Sequence, residues 1–244
     1  STLASIHHQQ DDFSKALEVA KQMRTVCHDI KIYNGEACAL LEISAIHLSD
    51  HDGKMAVRAA SAAVKLCKKK WQQGMQVPAL LKLAEGHLQL LGDYSYAAIE
   101  SKKLKRDIVN SATRAYEAVT EAVTIAEKMG DLHMCAQAEH MNARVLLVID
   151  EADRGLAAAQ EATFIFHKLG NEKKEVEALL VTAQCFHKIN SAKNWAANAA
   201  FDALDIAKRL KDEELEETCA KVMTDIGIYM RASGVTPEMM AMMQ

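Results

Sequence analysis

A pattern of small residues that returns about every forty positions constrains this chain more than any other feature. Five segments place an aliphatic side chain three residues after an alanine: Ala16–Val19, Ala63–Leu66, Ala122–Ile125, Ala162–Ile165 and Ala203–Ile206. The intervals between their alanines are 47, 59, 40 and 41 residues. Two of these set a base period near 40, and the other two read as that period with about 7 and 19 residues inserted. A fixed period of this size is the signature of stacked structural repeats, in which each unit buries its apolar face only against its neighbours.

A second pattern follows each of these segments. Residues Ala39–Leu48 and Ala79–Leu88 match closely, and Ala178–Ala183 is a third copy. Ala138–Ala143 and Cys219–Thr224 are weaker ones. Five positions after each anchor stands Ser44, Ala84, Ala143, Ala183 or Thr224, side chains small enough for two helices to approach closely. The links between patterns also carry turn chemistry. Gly130-Asp131 and Gly170-Asn171 put a left-handed helix stop beside an N-cap for the next helix.

The composition agrees with helices throughout. Aromatic residues are 5% of the 244, prolines number only 2 and glycines 10, and no alternating β pattern interrupts the chain. The patterning predicts about eleven helices: 11–28, 33–49, 54–70, 73–91, 94–109, 111–129, 131–149, 153–169, 172–189, 191–210 and 212–232. The expected organisation is an N-terminal extension over 1–10, a repeat domain over 11–232 and a Met-rich tail over 233–244. An irregular insertion falls near 92–110, with Asn110-Ser111 as a break inside it. Pro78 lies at or within the start of a helix, which predicts a late start or a kink there.

The stretch from Leu80 to Ala97, with Gly86-His87-Leu88 and Gly92-Asp93-Tyr94 inside it, resembles a tetratricopeptide first helix leading into its second. The pattern is similar to the long repeat variant of kinesin light chains, and it covers 11–232. The resemblance implies an all-α, right-handed superhelical solenoid of antiparallel helix pairs, with first helices lining a concave face. It also implies a non-catalytic module that binds a peptide or helix of a protein partner in that groove. The alternative is a structural subunit that packs into a large assembly through its convex face and insertion. The sequence departs from the family pattern in two ways. An aromatic early in the first helix is replaced by Leu80, Glu139 or Leu179, and the closing proline is absent.

Two and six residues after each anchor, the alignment points Glu85, His140, Arg144, Gln184, Lys221 and Asp225 into the groove, with His187 and Ile228 nine residues on. Arg144 is the leading candidate for a contact, because its planar fork suits a carboxylate. The other reading of Arg144 is an ion pair with Glu85 or Glu177. The lysine and paired asparagines with which tetratricopeptide clamps grip acidic chaperone tails have no counterpart at these positions.

No phosphate-binding glycine loop, nucleophile elbow or zinc-protease motif occurs, so neither an enzyme nor a cofactor is expected. His47 and His51 flank a helix end, which argues against a shared metal, and His133 and Cys135 point to different faces. Cys27, Cys38, Cys67, Cys135, Cys185 and Cys219 read as buried small hydrophobes of a reducing compartment such as the cytoplasm. The chain starts at Ser1, so an organellar address removed by processing stays open. With 29 basic against 33 acidic residues, net charge −4, nucleic acid is not an expected partner. No apolar run suits membrane insertion. Two basic clusters, Lys68-Lys69-Lys70 before Trp71 and Lys102, Lys103, Lys105 and Arg106, would meet an anionic partner. The reading preferred for them is a helix C-terminus for the first and a solvated insertion for the second. The methionines from Met230 to Met243 read as a cap or an unstructured tail.

Overall fold

The computed structural model describes residues 13–70, 73–95, 102–189 and 193–228. Among these, the chain forms ten helices and no strand. The expected all-α, serially packed class is what the structure has. The chain divides into two compact units, 1–149 and 150–244. The first holds α1 (Phe13–Asp29), α2 (Tyr33–Ser49), α3 (Gly53–Lys70), α4 (Gln73–Ser95), α5 (Lys102–Met129) and α6 (Leu132–Val148). The second holds α7 (Ala152–Lys168), α8 (Glu172–Lys188), α9 (Lys193–Leu210) and α10 (Glu213–Asp225).

Within each unit every helix packs on the next, and alternate helices also touch: α2 with α4, α4 with α6, α8 with α10. Within each unit the even-numbered helices therefore form a layer of their own. Their anchors Ala39, Ala79, Ala138, Ala178 and Cys219 are all fully buried. Ser44, Ala84, Ala143 and Ala183 are fully buried as well, while Thr224 is exposed. Ser44 shows why the position is small: its hydroxyl donates to the Ala56 carbonyl of α3 at 3.0 Å. Nearby, the Cβ that Gly86 lacks would lie 3.2 Å from the Val57 amide nitrogen.

The odd-numbered helices bury one stripe at i, i+4, i+7 and i+11. The stripe reads Ala56, Ala60, Ala63, Cys67 in α3 and Ala115, Val119, Ala122, Ala126 in α5. In α7 it is Gly155, Ala159, Ala162, Phe166, and in α9 Ala196, Ala200, Ala203, Ala207. In α1 the buried pair is Ala16 and Ala20, with Met23 and Cys27 half-buried. Ala16 therefore corresponds to Ala56, not Ala63, and the first interval is 40 residues. The expected 7-residue insertion does not exist. Two helical turns are close to seven residues, so Ala16 and Met23 share a stripe and the first pattern by itself does not tell them apart; the second does, because Met23 stands 16 residues before Ala39 as Ala63 does before Ala79.

The turns confirm this register. The left-handed residue before an even-numbered helix lies eight positions ahead of the anchor in four repeats: Lys31, Gly130, Gly170 and Lys211, with φ of 59°, 66°, 65° and 55°. The next residue closes the turn by donating back to the preceding helix: Ile32 to Cys27 at 2.8 Å, Asn171 to Phe166 at 3.0 Å and Asp212 to Ala207 at 3.3 Å. Asp131, Asn171 and Asp212 then cap the new helix through their side chains.

Three further expectations need correction. The predicted helices 94–109 and 111–129 are not separate, because residues 102–129 form one 28-residue helix. Asn110-Ser111 does not break it: Ser111 is buried and extends the stripe toward the N-terminus, so packing overrides two mildly poor helix formers. The single long interval, 59 residues, thus falls between α4 and α5. Pro78 does not delay α4, which begins five residues earlier at Gln73. Helix α10 ends at Asp225 rather than near 232, because Ile228 donates to the Met223 carbonyl at 2.7 Å across Gly227. The extension 1–10, Trp71 and the Met-rich tail lie outside the described residues.

Candidate functional site

The groove candidates belong to the even-numbered helices. In the first unit, Glu85 lies on α4, and His140 and Arg144 lie on the adjoining α6. Glu85 is half-buried and accepts from Lys82 Nζ at 2.7 Å, one turn away. Arg144 is half-buried, with Nη1 4.0 Å from Met141 Sδ, and it makes no ion pair among the described residues. The pairing of Arg144 with Glu85 is therefore absent. His140 does not line an open face: it is 9% exposed, like Leu180 at the same repeat position, at 5%. At these two copies the position turns toward the helix packing, whereas Leu41 and Leu81 are half-buried and Lys221 is exposed there; Ala45, Glu85, Arg144 and Gln184, four residues on, stay half-exposed. In the second unit, Gln184 is half-buried and His187 exposed on α8; Lys221 and Asp225 are exposed on α10.

The basic clusters divide. Lys68, Lys69 and Lys70 form the last turn of α3, where cations favour the helix dipole. Lys68 Nζ lies 2.7 Å from Glu121 of α5, and Lys70 Nζ sits 4.0 Å over the Tyr33 ring. The second cluster opens α5, where Lys103, Lys105 and Arg106 are exposed and the first turn holds no acidic residue. Cations there oppose the dipole; Lys102 begins the helix.

Cys67, Cys185 and Cys219 are buried as expected, but Cys38 is exposed. Burial pushes the Cys185 and Cys219 thiols up to about 11, which leaves them protonated and unreactive at neutral pH. His47 is buried in α2, and His51 sits in the following turn with φ 55°. His133 is exposed and Cys135 half-buried. Among the described residues, no three His, Cys, Asp or Glu side chains are grouped as a metal site would need. No described helix is long and apolar enough to cross a membrane.

Two features had no reading in the sequence. His87 is buried, and its Nδ1 meets no hydrogen-bond partner. Desolvation, and then the nearby Arg114 cation, lower its pKa to about 4. The equivalence of His47 and His87, each eight residues after its anchor, was the available signal. The other feature is a repeated turn contact: His28 Nδ1 lies 3.2 Å from Glu36 and His167 Nδ1 3.0 Å from Glu175, both pairs eleven and three residues ahead of an anchor.

No protein-family model matches the chain, and no curated protein is significantly similar to it.

Proposed function

We propose that this chain is a non-catalytic protein-binding module of tetratricopeptide type, which takes a peptide or helix of a partner along its even-numbered helices. The observation that carries the reading is the half-exposed row that the sixth position after the anchor forms on the adjoining α4 and α6, Glu85 and Arg144. Small Ala84 and Ala143 fill the helix contacts one residue before, while Glu85 and Arg144 keep polar heads free of the core. Such a row supplies polar contacts on rigid elements, and an extended or helical segment uses them as anchors. Arg144 is the first residue to test, since no carboxylate engages it among the described residues.

A second reading has one observation in its favour. Val26, Ile30 and Ile32, at the end of α1, are 57%, 59% and 50% exposed. Three large apolar side chains within seven residues, at the end of α1 and in the turn after it, suit permanent packing against a neighbouring subunit. The two readings separate by affinity capture from source lysate with wild type, Arg144→Glu and Val26→Asp/Ile30→Asp, each checked for helix content by circular dichroism. Loss of a defined partner with Arg144→Glu alone supports the groove. Loss with the α1 variant alone supports the structural subunit and removes the groove reading.

A further inference from the structure

The backbones of the odd-numbered helices of a unit do not pack on one another, so α2, α4 and α8 each floor a cleft between two of them. The repeat register makes these clefts comparable residue by residue. Between α3 and α5, Lys68 comes eleven residues before the anchor Ala79, and Glu121 immediately precedes Ala122. Lys68 Nζ lies 2.7 Å and 2.8 Å from the two carboxylate oxygens of Glu121 and closes the cleft. The same two positions between α7 and α9 hold His167 and Asp202. Here the closure is missing. His167 turns to Glu175 at 3.0 Å, and Arg209 is taken by Glu172 at 2.6 Å. Asp202 and its neighbour Asp205 have no hydrogen bond or ion pair among the described residues. What remains is an open cleft of about 430 Å³, whose apolar wall is Leu179 and Ile206, the counterparts of Leu80 and Ile125.

We propose that this cleft binds the side chain of a lysine presented by a partner protein, its ammonium between Asp202 and Asp205 and its methylenes along Leu179 and Ile206. The argument is the molecule's own precedent. Where the repeat carries its own lysine, that lysine sits on the equivalent carboxylate; where the repeat carries histidine, the carboxylate stands without its cation. A flexible ammonium stem packs its carbons on apolar surface while its head stays polar, which the mixed lining provides. Partial desolvation and then the adjacent Asp205 raise the pKa of Asp202, an exposed residue with no ion pair among the described residues to lower it. The site is formed by α7, α8 and α9 and does not depend on the Arg144 reading.

The test is a titration followed by amide chemical shifts in two-dimensional NMR. The probe is Nα-acetyl-lysine methylamide, with Nα-acetyl-norleucine methylamide as its uncharged counterpart. The lysine probe should shift Leu179, Asp202, Asp205 and Ile206 saturably, with a Kd on the order of 1 mM and weaker binding at high salt. Asp202→Asn/Asp205→Asn should weaken it about tenfold, the change that 1.4 kcal/mol produces. His167→Lys, which restores the closure seen at Lys68, should weaken it as well while the protein stays folded. Equal shifts with the norleucine probe, or a lysine titration unchanged by Asp202→Asn/Asp205→Asn, would overturn the proposal.

Discussion

Acidification should destabilise the first unit through His87. Its folded pKa is about 4, against an ordinary 6.5, because burial and Arg114 disfavour the imidazolium. Between those values the unfolded chain binds a proton that the folded chain refuses, so stability rises with pH across the window and falls as pH drops through it. From the two pKa values, the loss from neutral pH to pH 4.5 is about 2.5 kcal/mol, and most of it has occurred by pH 5. His87→Leu removes the titrating group while keeping an apolar body in the same place. Urea unfolding of wild type and variant should be followed at pH 7, 6, 5 and 4.5. Other acid-sensitive groups are common to both proteins, so the stability gap between them isolates His87. The variant should gain about 2 kcal/mol on wild type between pH 7 and pH 5. Parallel pH profiles for the two proteins would refute the assignment, as would a wild-type difference spectrum in which His87 titrates near 6.5.

The turn and packing geometry yield further expectations. Lys211 holds a left-handed φ of 55° where Gly130 and Gly170 stand in equivalent turns, so Lys211→Gly should raise stability by about 1 kcal/mol, measured by denaturant midpoint. Gly170→Ala should cost about 1 kcal/mol in the same assay, since nothing crowds the site and only its φ of 65° is strained. Gly86→Ala places a Cβ 2.9 Å from Val57 Cγ2 and 3.2 Å from the Val57 amide, so thermal unfolding should show a loss of about 1–3 kcal/mol before any gain in helix propensity. Lys68→Ala should cost less than about 1 kcal/mol, because both partners of its ion pair are substantially exposed.

Sequence alone determined what is local. Ala, Leu, Lys and Glu in a 3.6-residue rhythm set the helices, and the resemblance to a tetratricopeptide repeat implied which of them share a layer. Asp131 and Asn171 were legible as caps, and Gly130 and Gly170 as stops, because a cap or a left-handed turn acts within a few residues of itself. Tertiary structure decided whatever a seven-residue ambiguity or a distant neighbour controls. Ala16 and Met23 occupy one stripe, and burial against α2 with the His28–Glu36 turn contact showed the register that the 40-residue interval from Ala39 to Ala79 already carried. Asn110-Ser111 carries local signals for a break, but Ser111 is held in the buried face of one continuous helix. His140 was placed on an open face by its register and lies instead under the neighbouring helices, while Glu85 and Arg144 stay half-exposed. The cleft at Asp202 had no local signal at all: its carboxylate and the histidine that fails to close it lie 35 residues apart on α9 and α7. Propensity is a property of a segment, whereas burial and charge pairing belong to whichever segments the packed repeats bring together.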